Sequence, residues 1–363
     1  MIDFRYHVVS IVAIFLALTV GLVIGASILS KGVADSLKSD LAQRNDQIKS
    51  QQNQINDLKT QIDQQEKYIS GTADQLVAGR LSGLCVAVLE IAGADGNAYS
   101  STRAMIQKQA GATVCSETMI NAAFTASSSE PTLNTLLREH TPKGQKLSGT
   151  LAQQGVELIA EAVTAYQEVG AVAQTAGATP TPTDTATAKA THPTGTSSAS
   201  ASPSATPSAT DSSAASTGTL TSGQALGTLD DFQSAGLITI LTQPAAGELA
   251  SLAYIQAPSS ANADADNQTY LTLAESLHKD GVATVVGGSG DSAAKGGLVY
   301  AIVNDSTATR EISTVDDTDV TMGQVASVFS LAAEAQGATT AAGHYGTGAD
   351  NDGPVPVITS GLG

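Results

Sequence analysis

The sequence predicts an α/β protein: an N-terminal transmembrane helix and a coiled-coil stalk, then a three-layer α/β domain with a disordered insert. Three observations support this. Residues 8–29 carry no charged side chain, residues 41–69 repeat an aliphatic residue every seven positions, and strand-like runs alternate with helical segments from residue 83 onward. Such alternation is typical of helices packed on both faces of a mostly parallel sheet.

These patterns divide the chain into six expected segments. They are residues 1–31 (anchor), 32–78 (stalk), 79–173 (first part of the α/β domain), 174–228 (disordered insert), 229–348 (second part of the α/β domain) and 349–363 (flexible tail).

The first segment, Val8 to Leu29, is long enough to span a bilayer as a helix. About 20 residues cross a hydrocarbon core of roughly 30 Å. A secretory signal has a shorter apolar centre of about 7–15 residues, so we expect an uncleaved single-pass anchor in the cell membrane. Gly21 and Gly25 form a GxxxG step, which allows two membrane helices to approach closely, although glycine is also simply common in such helices.

The stalk shows a strict period of seven. The repeated positions, which we label a, are Leu41, Ile48, Ile55, Ile62 and Ile69. This period favours a left-handed coiled coil that is two-stranded if parallel. Because Arg44, Gln51 and Gln65 occupy d positions, we expect either a homo-oligomer or a hetero-coiled-coil with another membrane protein. A lone amphipathic helix lying on its own domain is the alternative.

Composition argues against nucleic-acid partners but does not show on which side of the membrane the C-terminal domain lies. The formal net charge is −17, with no basic cluster to neutralise phosphates, so we expect no nucleic-acid binding. Charges flanking the anchor do not decide its orientation. The Ser/Thr/Pro-rich insert has the composition of O-glycosylated stalks, which favours an extracytoplasmic C-terminal domain, although a plain linker has a similar composition.

The α/β domain begins with a predicted strand–helix–strand unit. Residues 83–91 and 112–116 are the strands and residues 99–110 the helix, so the two strands are expected to be parallel neighbours. Cys85 and Cys115 lie on these strands, either as two buried thiols or as a disulfide.

The later part of the chain alternates in the same way. We expect a mostly helical region at 131–170, four strands at 236–241, 252–257, 282–287 and 298–303, and a helix at 269–279. Thr321 and Gln324 have the spacing of a capping box before a helix ending near Gln336.

Short motifs for ligand binding or catalysis match this sequence poorly. Residues 288–293 match a dinucleotide-type glycine pattern, but no long helix is expected after them, so a turn is favoured. Residues 264–275 resemble a calcium loop but have Thr269 where the sharp turn needs glycine. No catalytic motif is present, and we expect no enzymatic activity.

Three segments together resemble a known family. The N-terminal MIDFRYHVVSIVAIFLALTVGLVIG, EISTVDD at 311–317 and GHYGTG at 343–348 are similar to the actinobacterial MctB-like copper transporters, which also include SteB-like envelope proteins. The resemblance implies an anchored extracytoplasmic α/β domain with a role in copper efflux or homeostasis at the cell envelope. For SteB-like members it implies a coiled-coil scaffold that pairs with a membrane partner in envelope growth and division.

The same resemblance selects the candidate site residues. They are Glu311, Ser313, Thr314, Asp316, Asp317, His344, Tyr345 and Thr347. Among them, the side chains of Glu311, Asp316, Asp317 and His344 offer oxygen and imidazole ligands that suit Cu(II) or Zn(II) more than Cu(I). We expect no resident cofactor, and a copper ion at these four residues is the alternative. Both motifs are equally well explained as structure, because acids suit a helix N-terminus and a glycine-rich loop allows close backbone approach.

Overall fold

A computed structural model describes residues 4–175, 220–243, 250–337, 342–348 and 351–356. The chain forms two compact units, Met1–Tyr68 and Ile69–Gly363. Each unit is described by itself.

The first unit belongs to helix α1 (Phe4–Val77), which is continuous over 74 residues and ends within the second unit. Within the described residues, Tyr6–Gly25 is the one stretch apolar and long enough to cross a membrane, with a mean hydropathy of 2.8. The Thr19 hydroxyl donates to the carbonyl oxygens of Phe15 and Leu16 at 2.9 Å. This polar group is therefore satisfied inside the helix, as a hydrocarbon environment requires.

The second unit contains a seven-stranded sheet and nine further helices among the residues that the structure describes. The strands are β1 (Cys85–Ile91), β2 (Thr113–Ile120), β3 (Ile238–Thr242), β4 (Leu252–Gln256), β5 (Ala283–Gly287), β6 (Ser313–Val315) and β7 (His344–Tyr345). The helices are α2 (Gly96–Ala104), α3 (Glu130–His140), α4 (Leu151–Thr175), α5 (Ser222–Ser234), α6 (Asp264–Lys279), α7 (Gly290–Ala293), α8 (Leu298–Asn304), α9 (Ala308–Glu311) and α10 (Thr321–Ala335).

The strand order is β3-β2-β1-β4-β5-β6-β7, and every pair is parallel except β2 with β3. The expected strand–helix–strand unit is confirmed, because β1 and β2 are parallel neighbours joined through α2. Strand order reverses between β1 and β4, which is where doubly wound sheets form a crevice at their carboxyl ends. Here the loops after these strands meet, since the Ser259 N–H and hydroxyl both donate to the Gly93 carbonyl oxygen.

Two apolar clusters cover the two faces of the sheet, which confirms the three-layer architecture. One contains Phe124, Ile159 and Phe232, from the side of α4 and α5. The other contains Val77 and Ile106, from the end of α1 and the π-helical turn after α2. The last turns of α1 therefore contribute to the core of the second unit.

One predicted strand is wrong. Residues 298–303 form helix α8, not a strand, and Leu298, Val299 and Ile302 are buried in it. The position beside β5 is instead occupied by β6. A short apolar run cannot distinguish a buried strand from a buried helix, so the neighbouring topology decides.

The predicted capping box at Thr321 is also wrong. Val320 is the N-cap of α10 and provides no side-chain cap, while Thr321 is already helical. The capping box occurs at α5, where Thr221 and Gln224 cap each other reciprocally. This helix starts inside the segment expected to be disordered, with Ala225 and Thr228 fully buried. The fold therefore resumes by Leu220, and residues 176–219 of the expected insert lie outside the described residues.

The expected flexible tail is wrong in part. Residues 351–356 pack against the domain: Pro356 is buried, Val355 contacts the second core cluster, and the Asp352 N–H donates to the His344 carbonyl oxygen at 2.7 Å. Residues 349, 350 and 357–363 lie outside the described residues.

Candidate functional site

The two motifs selected by resemblance lie side by side at one edge of the sheet. EISTVDD supplies β6 and GHYGTG supplies β7, which pair in parallel with Thr314 opposite His344 and Val315 opposite Tyr345. Segments that are 30 residues apart in sequence therefore build one structure. Its chemistry depends on what each polar side chain contacts.

Asp316 is held by the loop that follows β7. Its carboxylate accepts hydrogen bonds from the backbone N–H groups of Thr347 at 2.8 Å and Gly348 at 3.0 Å, and from the Asn351 amide at 2.8 Å. The side chain is buried, and burial raises the pKa of Asp316 while these donors oppose the shift. The geometry is that of a buried carboxylate that fixes a loop.

Asp317 adopts a left-handed conformation with φ of 57°. Its side chain accepts a hydrogen bond from the Thr347 hydroxyl. Its carbonyl oxygen accepts from the Val320 N–H at 3.0 Å and lies where a side chain on Gly323 would clash. Asp317 therefore shapes the turn into α10 and fastens it to the same loop.

His344 is enclosed by hydroxyl groups. Its Nδ1 lies 2.8 Å from the Thr314 hydroxyl, and its Nε2 lies 2.8 Å from the Thr309 hydroxyl and 3.1 Å from the Thr309 carbonyl oxygen. Both ring nitrogens thus have protein partners. A metal ion at either nitrogen would have to displace one of them.

Ser313 connects the strand to α10. Its hydroxyl donates to Glu334 at 2.5 Å and accepts from the Gly343 N–H at 3.0 Å. Burial raises the pKa of Glu334, although the Ser313 bond acts in the opposite direction. Tyr345 is also buried, in the second core cluster, so both residues tie the motif to the core.

The four metal candidates do not form a metal centre. Across the described residues, no three His, Cys, Asp or Glu side chains come together in a group suited to a metal ion. Glu311 is exposed at the end of α9, Asp316 is surrounded by hydrogen-bond donors, and His344 lies between two threonines. Within the described residues, Asp316, Asp317 and His344 are thus engaged by protein groups, and a copper site at Glu311, Asp316, Asp317 and His344 stays a prediction.

A second polar cluster was not predicted from the sequence. Glu117 on β2 forms an ion pair with Arg103 of α2 at 2.7 Å and accepts from the Tyr99 hydroxyl at 2.5 Å and the Thr242 hydroxyl at 3.2 Å. Burial would raise the pKa of Glu117, but the Arg103 and Tyr99 bonds outweigh it and hold that pKa below its usual value.

Glu90 extends this cluster towards the centre of the sheet. It is 9% exposed at the carboxyl end of β1, where burial and the nearby Glu117 charge raise its pKa. The two carboxyl groups therefore have pKa values shifted in opposite directions. The sequence feature that could have indicated this cluster is a glutamate inside each predicted strand, in VLEI and in SETM.

A neutral polar network lies on the neighbouring strand. The Tyr254 hydroxyl donates to Gln256 at 2.7 Å, the Gln256 amide donates to the Thr318 hydroxyl at 3.0 Å, and the Gln324 amide donates to the Thr318 carbonyl oxygen at 3.2 Å. Burial raises the pKa of Tyr254 to about 12. These bonds fasten the turn after Asp317 to the middle of the sheet.

The two cysteines form a disulfide between β1 and β2, with their Cα atoms 5.7 Å apart. Cys115 lies at an irregularity in the pairing, between the Val86–Val114 and Ala87–Ser116 pairs. The bond occupies both thiols, so neither is a thiolate ligand in this state.

Comparison with known proteins identifies the relatives of the chain. A family model described as "Copper transport outer membrane protein, MctB" matches residues 1–356. Proteins named "Copper transporter MctB" from Mycobacterium bovis and from two strains of Mycobacterium tuberculosis are 23% identical over 350 residues, covering 96% of this chain and 97% of each relative. Since the family match includes the apolar helix, the heptads and both sheet-edge motifs, the chain belongs to the MctB family of copper transport outer membrane proteins.

Proposed function

We propose that this chain is a single-pass membrane protein that takes part in copper efflux or copper homeostasis at the cell envelope, without a catalytic step of its own. The observation that carries the proposal is the match of residues 1–356 to a copper transport family. Relatives matched over nearly their whole length are also named for copper transport, which favours this role over a scaffold for growth and division.

The proposed role is an accessory one within an assembly. Carriers that alternate access use several helices and internal repeats, whereas Tyr6–Gly25 is the one candidate span in the described residues. A copper path therefore needs either further copies of the chain or another membrane protein. The stalk suits such association, because heptad residues such as Ile48 and Ile62 are 61% and 62% exposed in a single chain.

We propose that the α/β domain lies outside the cytoplasm. The support is the Cys85–Cys115 disulfide, because disulfides persist in oxidising compartments and are rare in the cytosol. In this arrangement the domain is held on the outer side of the bilayer by its N-terminal anchor.

We propose that the sheet-edge residues serve the domain through its structure and do not bind copper directly. Asp316, Asp317 and Thr347 fasten the loop after β7, and His344 is held by Thr309 and Thr314. We expect the ligands that contact copper to be groups that come together when the chain associates with further copies or with another membrane protein.

The test is copper tolerance in a strain that lacks this chain. We expect growth inhibition at lower copper concentrations and more cell-associated copper by mass spectrometry, with zinc tolerance unchanged. The wild-type chain should restore tolerance. Unchanged copper tolerance and copper content in the deletion strain would refute the proposed role.

A stalk variant then tests whether association is needed. Replacing three a positions, as Ile48→Asp, Ile55→Asp and Ile62→Asp, places charges in the seam and should abolish complementation. The matched control is Ser50→Asp, Asn53→Asp and Thr60→Asp, which adds the same charge on the opposite face of the helix and should complement. Equal complementation by both variants would argue that copper tolerance does not depend on the stalk.

A further inference from the structure

We propose that the α/β domain binds a small organic diamine in a cavity that lies between α4 and the last turns of α6. The cavity has a volume of about 540 Å³, and residues 145–148 of the loop before α4 complete its lining. Sites for small molecules have volumes of about 300–1,000 Å³. The proposal goes beyond the copper role and does not depend on it.

Two acids of α4 hold the loop that forms one wall of the cavity. The Gln145 amide donates to the Glu161 carboxylate at 2.5 Å, and the Leu220 N–H donates to the same carboxylate at 2.7 Å. The Ser148 N–H and hydroxyl donate to the Glu157 carboxylate at 3.2 and 3.4 Å. This wall is therefore formed before any ligand arrives.

Two acceptors on different walls of the cavity lack a donor. The Gln145 Oε1 atom is buried and has no hydrogen-bond partner within the described part of the chain. On α6, burial and the nearby charges of Asp305 and Glu311 raise the pKa of Glu275, and no hydrogen bond from a described residue opposes that shift. Leaving a buried acceptor without a donor costs free energy, which a ligand with N–H groups would recover.

The charges around the cavity favour a cation over an anion. Four carboxylates line it, whereas its two lysines, Lys146 and Lys279, are both exposed to solvent. The last turn of α6 lies in the wall, and the negative end of a helix dipole also favours positive charge. The ligand is therefore expected to carry ammonium groups.

The spread of these acids favours an extended cation over a metal ion. Across the residues that the structure describes, no three His, Cys, Asp or Glu side chains converge in a way that could hold a metal. A diamine can instead place one ammonium group at Glu275 and the other at the Gln145 Oε1 atom. Leu147 also lines the cavity and provides apolar surface for the carbon chain between them.

Calorimetric titration of the full-length chain in detergent tests the proposal, with putrescine as the probe. Butanediol and succinate have the same number of carbons but carry hydroxyl or carboxylate groups at their ends. We expect putrescine to bind and the other two not to bind. Glu275→Gln should weaken putrescine binding roughly tenfold or more, because it removes the charge while keeping the shape. The matched control is Glu139→Gln, at an exposed position of α3 outside the cavity, which should bind like the wild type.

A second variant tests the cavity without changing its charge. Ser276→Leu places a larger side chain among the lining residues and should abolish putrescine binding. Thermal unfolding of each variant without ligand checks that it is folded.

Three results would overturn the proposal. They are the absence of putrescine binding to the wild-type chain, equally tight binding of butanediol or succinate, and a putrescine affinity that Glu275→Gln and Ser276→Leu leave unchanged or that Glu139→Gln weakens equally. Because the readout is amine binding by the purified chain, its failure is separate from failure of the copper role.

Discussion

The carboxylate of Asp316 occupies the space where a side chain on Gly346 would lie. Gly346 also has φ of +133°, a conformation that is essentially restricted to glycine. The glycine-rich loop after β7 therefore closes over a buried acid. Position 346 requires glycine because of its backbone conformation and because the Asp316 carboxylate leaves no room for a side chain.

Gly346→Ala should destabilise the domain by about 3 kcal/mol, because the new methyl group overlaps the Asp316 carboxylate and the backbone becomes strained. Urea unfolding of the detergent-solubilised chain measures the change. Gly353→Ala is the control, since φ is +135° and no atom lies within 4 Å of the added carbon. The control should lose only the backbone contribution, and equal losses would contradict the proposed overlap.

Asn351→Ala should cost about 1–3 kcal/mol, because it removes a hydrogen bond to a buried carboxylate. The loss of this donor also raises the pKa of Asp316 further. A raised carboxyl pKa contributes stability at low pH that is lost as pH rises through the folded pKa, so the deficit should grow on going from acidic to neutral pH. Asn304→Ala, whose amide donates to the Tyr300 carbonyl oxygen on the surface, should change the free energy of unfolding little. No deficit for Asn351→Ala would show that the hydrogen bond from Asn351 to Asp316 adds nothing to the stability of the fold.

Arg103→Met should destabilise the domain by about 2–4 kcal/mol at neutral pH, because it leaves Glu117 buried without its cation. The pKa of Glu117 is lowered in the fold, so its contribution is present above the unfolded pKa and is lost as pH falls through the folded value. The wild-type advantage should therefore shrink in acid. Combining Arg103→Met with Glu117→Gln should recover part of the loss, and a purely additive double variant would contradict direct coupling.

The chain isolated from the envelope should contain no thiol that reacts with an alkylating reagent before reduction and two after reduction. Mass spectrometry of the peptides that carry Cys85 and Cys115 measures this. Replacing both by alanine should lower stability by about 3–4 kcal/mol, since the bond closes a loop with a sequence separation of 30. Free thiols in freshly isolated protein would place the domain in a reducing compartment.

The sequence predicted much of the fold because its strongest patterns are local. The apolar run at Tyr6–Gly25, the strands around Cys85 and Cys115 and the end of α10 near Gln336 follow from composition, alternation and glycine placement. Residues 298–303 were misassigned because an apolar run satisfies helix and strand alike, and only the pairing of β5 with β6 distinguishes them.

The residues of the candidate site could be selected from the sequence, but the contacts of their side chains could not. Resemblance selected Asp316 and His344 as candidates, and the structure brings their segments together through β6 and β7. Their contacts come from residues outside both motifs, such as Asn351 and Thr309. Spacing in sequence carries no information about which donors surround a carboxylate. The Glu117–Arg103 pair escaped prediction for the same reason, because its partners come from a strand and a helix.

The chain returns to the domain at a defined point, where the Leu220 N–H donates to the Glu161 carboxylate at 2.7 Å. The residue that precedes the N-cap of α5 is thus hydrogen-bonded directly to α4. Thr221 and Gln224 then form the capping box at the N-terminus of α5. The length of chain between these helices is free to vary at small entropic cost, since doubling a loop adds only about 0.6 kcal/mol. We therefore expect that residues inserted or removed between α4 and α5 leave the sheet and its edge motifs in place, provided that the Leu220–Glu161 hydrogen bond is kept.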